Sequence, residues 1–373
     1  MPLPLPQNQT VIYNSSMVNR ANANQPDALL KAPAVLARLA AAVALLSVIL
    51  ALVCFVSMSV GQGNVPLGSV VESAAAKLHI PWLTTAKPDP YAELILWDLR
   101  FPRVLLAAMV GMLLALAGAA LQGLLLNPLA DPYTVGVSSG AALGASVAVV
   151  FGLTPLFWGL GVPAVAFVTA IGAMLLVYSL ARFRGRLATH SFLLAGVVVG
   201  SFLWAMLTFV MTLAGQDLSV IIYWLLGSFS APDPWGYVRI VTPFTVFALV
   251  GLYAFARDLN VFALGEETAE RLGVSPEGLK NAIIGITSLA TAAAVSVSGI
   301  IGFVGLVTPH IARRVFGPDH RILLPTAALM GAILMVAADT AARNVIGSVE
   351  LPVGVITALL GAPFFCYLLK RGR

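Results

Sequence analysis

Seven carboxylates flank the apolar stretches of this chain: Asp98, Asp131, Asp217, Asp233, Asp258, Asp339 and Glu350. Where they stand decides which chemistry is open. A carboxylate at mid-bilayer costs about 2.5–3.5 kcal/mol, and proton- or sodium-coupled carriers accept that cost because the buried acid is the coupling site. All seven are expected at the ends of apolar runs or in the loops between them, which argues against a proton relay. No G-x-x-x-x-G-K-[ST] occurs, nor any Gly-Lys dipeptide, so this chain does not itself cradle the phosphates of ATP. No pair of intramembrane acids, no nucleophile with its base and no His cluster supports a membrane enzyme. Cys54 and Cys366 both lie in apolar runs, toward opposite faces, and read as free thiols. His310 follows Pro309, and its lone imidazole reads as a structural hydrogen-bonder and not as a metal ligand.

One stretch concentrates charge. In 263–280, ALGEETAERLGVSPEGLK, six of the last fifteen residues are charged, Glu266, Glu267, Glu270, Arg271, Glu277 and Lys280, whereas the whole chain is 10% charged. Glu267 and Arg271 stand at i,i+4 in the favourable order. Gly273 suits a helix C-cap, and Ser275-Pro276 suits the start of a second short helix. By spacing alone the stretch is either a solvated loop with a surface ion pair or a helical patch on which a separate subunit could push.

The elements that must position these residues are membrane-spanning helices. The chain is 59% hydrophobic, with a mean hydropathy of +0.94, far above soluble domains. Long apolar runs without period-2 alternation mean an all-α polytopic protein and not a barrel. Ten spans are expected, near 34–60, 103–125, 133–151, 162–181, 191–213, 237–256, 281–298, 300–316, 322–338 and 351–369. The stretch 214–236 is too short and too interrupted by Gly, Pro and Asp for a span, and reads as a short outer-side or re-entrant helix. Residues 1–32, rich in Pro and Asn, read as a disordered tail and not as a cleavable signal peptide, which leaves 33–373 as the helical domain.

Lys and Arg set the orientation. With ten spans, one side collects fifteen of them, including the RFRGR and KRGR clusters, and the other collects Lys77, Lys87, Arg100, Arg103, Arg239 and Arg343. Both termini and the charged stretch are therefore expected in the cytoplasm. Three arginines on the positive-poor side, Arg100, Arg103 and Arg343, suit bidentate recognition of carboxylates. Snorkelling, or internal pairing with Asp98, Asp339 or Glu350, is the alternative.

Four stretches carry a resemblance: LRFPRVLLAAMVGMLLALAGAALQGLLLNPLADPYTVGVSSGAALGA (99–145), GIIGFVGLVTPHIARRVFGPDHRILLP (299–325), ELPVGVITALLGAPFFCYLL (350–369) and the charged stretch itself. Together they resemble the FecCD-type permeases of ATP-binding cassette importers for iron chelates, haem and cobalamin, over roughly 35–373. The resemblance implies the type II importer fold in a bacterial plasma membrane, and a homodimer with its pathway on the two-fold axis. It further implies two cytoplasmic ATPase subunits that bind ATP and Mg, an extracytoplasmic binding protein, no cofactor or metal in this chain, and no nucleic acid. Gly265, Glu266, Glu267, Glu270, Arg271, Leu272, Gly273 and Val274 then correspond to the coupling element docked on the ATPase. Arg100, Arg103 and Arg343 correspond to the docking points of the binding protein, and Thr189, His190 and Ser191 to a cytoplasmic gate. A ferric siderophore is the expected cargo, with haem and cobalamin as alternatives.

Overall fold

The computed structural model describes residues 32–61, 67–77, 90–183, 186–346 and 349–371. The expected N-terminal tail lies outside the described residues apart from Ala32.

Helices dominate. In chain order they are α1 Ala32–Ser59, α2 Leu67–Lys77, α3 Pro90–Leu124, α4 Val137–Val150, α5 Gly161–Ala181, α6 Thr189–Leu213, α7 Leu218–Leu225, α8 Pro234–Ala254, α9 Ala256–Phe262, α10 Glu266–Arg271, α11 Pro276–Ser298, α12 Val304–Phe316, α13 His320–Asn344 and α14 Val353–Arg371. Between α5 and α6 a two-residue antiparallel hairpin pairs Arg182–Phe183 (β1) with Arg186–Leu187 (β2). Among the described residues seven helices, α1, α3, α5, α6, α8, α11 and α13, are long and apolar enough to cross a membrane.

The bundle is organised around α3. It is the most enclosed of the seven, with 83% of its most apolar window buried, whereas α1 is the least, with 11%. Small residues make this possible: a Cβ on Gly111 would collide with the carbonyl of Gly331 on α13, and one on Gly118 with that of Gly305 on α12. Backbones can approach this closely only where no side chain intervenes.

Three boundaries differ from the sequence expectation. The helix expected to start at 103 starts at Pro90, because Ile95–Arg100 continues it as a π-wound turn in which the Phe101 N–H reaches the Leu96 carbonyl. Its Arg100 mimics a loop residue in the sequence but is bonded inside the bundle. The helix expected to begin as a second short element at Ser275-Pro276 is continuous with the following span: Ser275 Oγ accepts the Gly278 N–H, Pro276 occupies the first turn, and α11 runs unbroken to Ser298.

The third difference concerns 133–151 and 300–316. Their helices, α4 and α12, have 14 and 13 residues, or about 20 Å at 1.5 Å per residue, short of the roughly 30 Å of hydrocarbon. The turns that precede them meet inside the bundle. The Tyr133 hydroxyl donates to the Ile301 carbonyl at 2.9 Å and accepts from the Ile301 N–H at 3.2 Å. Gly305 lies against Pro132 and the Leu114 carbonyl, ten residues and so about 15 Å from the end of α3. Asp131, expected at a span end or in a loop, lies in the turn before α4, and that turn is folded into the bundle, where its Oδ1 accepts the Tyr133 N–H at 2.9 Å.

Candidate functional site

The charged side chains gather at two opposite ends. Helix α13, of 25 residues, carries His320 at one and Arg343 at the other, about 35 Å apart at 1.5 Å per residue.

At the Arg343 end, the π-wound turn of α3 and the last turns of α13 bring the three predicted arginines into one cleft of about 220 Å³, with Gly61, Phe229, Ser230, Pro234 and Glu350 in its wall. Arg103 is held by two carboxylates. Its Nη2 lies 2.9 Å from Asp339 Oδ1, with Nε also donating to that carboxylate, and its Nη1 lies 3.0 Å from Glu350 Oε2. Arg343 Nε is 3.1 Å from the other Asp339 oxygen, but its N–H is misaligned, so the contact is an ion pair and not a hydrogen bond.

Arg100 and Arg343 also finish α1. Arg100 Nη1 donates to the Met58 and Ser59 carbonyls at 2.7 and 3.3 Å, and Arg343 donates to the Val60 carbonyl at 3.3 Å and to Ser57 Oγ at 2.8 Å. A helix C-terminus leaves four carbonyls without intrahelical partners and carries partial negative charge, so two guanidiniums from other helices satisfy both needs. Both arginines are 5% exposed, and the Arg103 side chain is 14% exposed. Internal pairing, the alternative left open by the sequence, is thus realised with Asp339 and Glu350. Asp98 instead faces outward. Among the described residues, three guanidiniums against two carboxylates leave the cleft with one net positive charge.

At the other end is the predicted coupling stretch. Gly265, at φ +106°, turns the chain into the six-residue α10. Gly273, at φ +87°, turns it out again: the Gly273 N–H reaches the Glu270 carbonyl and the Val274 N–H that of Ala269, a complete Schellman closure. Ala269 is fully buried beneath the helix, while Glu267, Glu270, Arg271, Leu272 and Gly273 are exposed. The outward surface is therefore five of the predicted side chains, Glu266 included, plus Gly273, with Leu272 62% exposed.

Glu267 and Arg271 do not form the ion pair that their spacing invites. Instead Glu266, itself exposed, pairs with Lys280, whose Nζ donates to Glu266 Oε1 at 2.8 Å, to Glu277 Oε1 at 3.3 Å and to the Leu187 carbonyl at 3.3 Å. Glu277 in turn accepts the Leu187 N–H at 3.0 Å. Lys280, 5% exposed, is one node shared by α10, α11 and the β-hairpin. Two residues past Leu187 begins α6, whose first turn is Thr189, His190 and Ser191, the last two exposed. The predicted gate and the predicted coupling element thus lie at one end of the bundle, joined through Lys280 and Glu277, which sequence reading left out of the site. The signal was present: a Glu and a Lys at i,i+3 in the first turns of a helix.

A second knot ties α9 to α13. Asn260 Nδ2 donates to Asp319 at 2.7 Å, so its Oδ1 is the acceptor for the His320 backbone N–H and faces His320 Nδ1, both at 2.8 Å. Nδ1 then carries the ring proton, and Nε2 is left against Gly123. Burial alone would raise the Asp319 carboxyl, but hydrogen bonds from Arg321 and Asn260 outweigh it and hold the group below the usual carboxylate range. His310, expected to hydrogen-bond, instead meets the ring of Phe364 edge-on, with centroids 6.1 Å apart.

Comparison with known proteins fits this two-ended arrangement. Residues 49–371 match the model of the FecCD transport family. The chain belongs to that family. This FecCD family member is 46% identical over 285 residues to the Uncharacterized ABC transporter permease protein YvrB of Bacillus subtilis, covering 76% of this chain and 80% of the relative. It is 41% identical over 352 residues to the cobalamin import system permease protein BtuC of Halobacterium salinarum, covering 87% and 94%. In three dimensions it is similar to a metal-chelate type ABC transporter solved in an inward-facing conformation, with a TM-score of 0.75 at 29% identity, covering 88% of this chain and 98% of that one.

Proposed function

We propose that this FecCD family member is the permease subunit of an ATP-driven importer that passes a bulky metal chelate from an extracytoplasmic binding protein to the cytoplasm. The observation that carries this reading is the 41% identity to a cobalamin permease over nearly the full length of both chains. That relative, and further permeases named for vitamin B12 import at 37–40% identity, favour cobalamin over the ferric siderophore that the sequence motifs put first and over haem. The siderophore reading draws support from the metal-chelate type of the structural relative.

In this reading ten helices make up the membrane domain, α4 and α12 crossing only in part with their N-termini meeting inside, as discontinuous helices of transporters do. Two copies face each other across the pathway, and both termini lie in the cytoplasm with α10. The exposed Glu266, Glu267, Glu270, Arg271 and Leu272 meet the ATPase, and the Lys280 node carries displacement of α10 to the hairpin and so to Thr189, His190 and Ser191. The arginine cleft faces the binding protein: Arg103 and the net positive charge attract an acidic partner, while Arg100 and Arg343 keep the end of α1 in place. Because Asp131 lies inside the bundle, exclusion of a proton-coupled carrier rests on family membership and not on the placement of acids.

The test is reconstitution in proteoliposomes with the cognate ATPase and binding protein. ATP-dependent accumulation of cobalamin is expected, with ferric siderophore and haem as comparisons. Cobalamin flux through vesicles holding this chain alone would overturn the reading.

A further inference from the structure

At the same end as α10, a cleft of about 370 Å³ opens between the start of α1 (Val35, Leu36, Leu39), the α8–α9 junction (Tyr253, Arg257) and Arg321 at the start of α13. Its two walls differ in chemistry. The α1 wall belongs to the least enclosed of the apolar helices, and Leu36 is 63% exposed. The facing wall carries two guanidiniums. Arg257 is exposed and makes no hydrogen bond or ion pair among the described residues. Arg321 uses Nε and Nη2 on Asp319, leaving Nη1 without a partner among the described residues. Tyr253, 44% exposed, stands between the walls as an amphipathic ring of the kind that sits at headgroup level.

We propose that this cleft binds an anionic phospholipid from the leaflet nearest α10. The phosphate sits on Arg257 and the free edge of Arg321, and the acyl chains descend along Leu36 and Leu39. The geometry matches the need: an apolar helix flank continuous with the bilayer, topped at the headgroup boundary by guanidinium donors that no carboxylate among the described residues fully uses. Basic recesses between helices near the membrane surface hold anionic headgroups in this way. A lipid bound there bridges α1 to the α8–α9 junction, one helix away from α10.

Native mass spectrometry of the detergent-purified chain, titrated with phosphatidylglycerol or phosphatidylcholine, tests the proposal. Phosphatidylglycerol is expected to be retained in preference to phosphatidylcholine. Arg257→Gln should weaken that retention about fivefold, and Leu36→Glu, which places a carboxylate on the opposite lip, by at least as much. Arg239→Gln, at an arginine 75% exposed near the other end, should leave retention unchanged. Equal retention by wild type, Arg257→Gln and Leu36→Glu overturns the proposal, as does an equal loss in Arg239→Gln. Displacement of the lipid by millimolar inorganic phosphate would make this a free-phosphate site and overturn the lipid assignment.

Discussion

Replacing Lys280 by Met removes one charge from the node that joins α10, α11 and the hairpin while keeping the aliphatic stem packed. The loss can be worked out from the surroundings of the ammonium. The Glu266 and Glu277 side chains are 52% and 31% exposed, so both can rehydrate, and their ion pairs are worth at most about 1 kcal/mol together after solvent screening. The Leu187 carbonyl belongs to a residue 3% exposed and loses a charge-assisted bond of about 1.5 kcal/mol. The sum, roughly 2 kcal/mol, corresponds to about a thirtyfold rise in local opening at Leu187, since 1.4 kcal/mol is a factor of ten. Amide hydrogen exchange at Leu187, whose N–H is held by Glu277, reads this directly and requires no partner subunit. In the reconstituted transporter the same substitution should leave ATP hydrolysis in place and reduce uptake. Unchanged exchange at Leu187 to Ser191 in Lys280→Met would refute the claim that this node ties the hairpin down.

Two further outcomes follow from the packing and the cleft. Gly118→Ala should destabilise by at least 1–3 kcal/mol, because its Cβ meets the Gly305 carbonyl and the backbone must move. Gly285→Ala, which has open space around its Cβ, should instead stabilise by about 0.5–1 kcal/mol through helix propensity; thermal unfolding in detergent separates the two by sign. Arg103→Gln should cost about 3–5 kcal/mol by leaving Asp339 short of a partner in a buried site, whereas Glu350→Gln, at a side chain 30% exposed, should cost under about 1 kcal/mol. Similar melting temperatures for the two variants would show that Arg103 is not the keystone of the cleft.

Local chemistry was legible in the residues themselves. Apolar runs located a helix near each expected span, because the period and length of a run depend only on neighbours in the chain. The turns around α10 were legible for the same reason: Gly273 ends the helix at a positive φ and Ser275-Pro276 begins the next, interactions that close within five residues. The charged start of α3 was misread because Arg100 and Arg103 look like a loop until their partners are known. Lys280 was passed over because one of its three acceptors is a backbone carbonyl 93 residues away.

The sequence by itself determined that this chain is a helical membrane protein of the FecCD type, with charge concentrated in 263–280. Only the tertiary structure decided which charges pair inside the bundle and which face outward. Arg103 finds Asp339 across 236 residues of chain, and that meeting depends on α3 and α13 approaching at Gly111 and Gly331 and on the π-wound turn that sets the rotation of the arginines. Neither distance along the chain nor residue type encodes such a rotation. It emerges when close-packed helices leave one arrangement in which every buried charge has a partner.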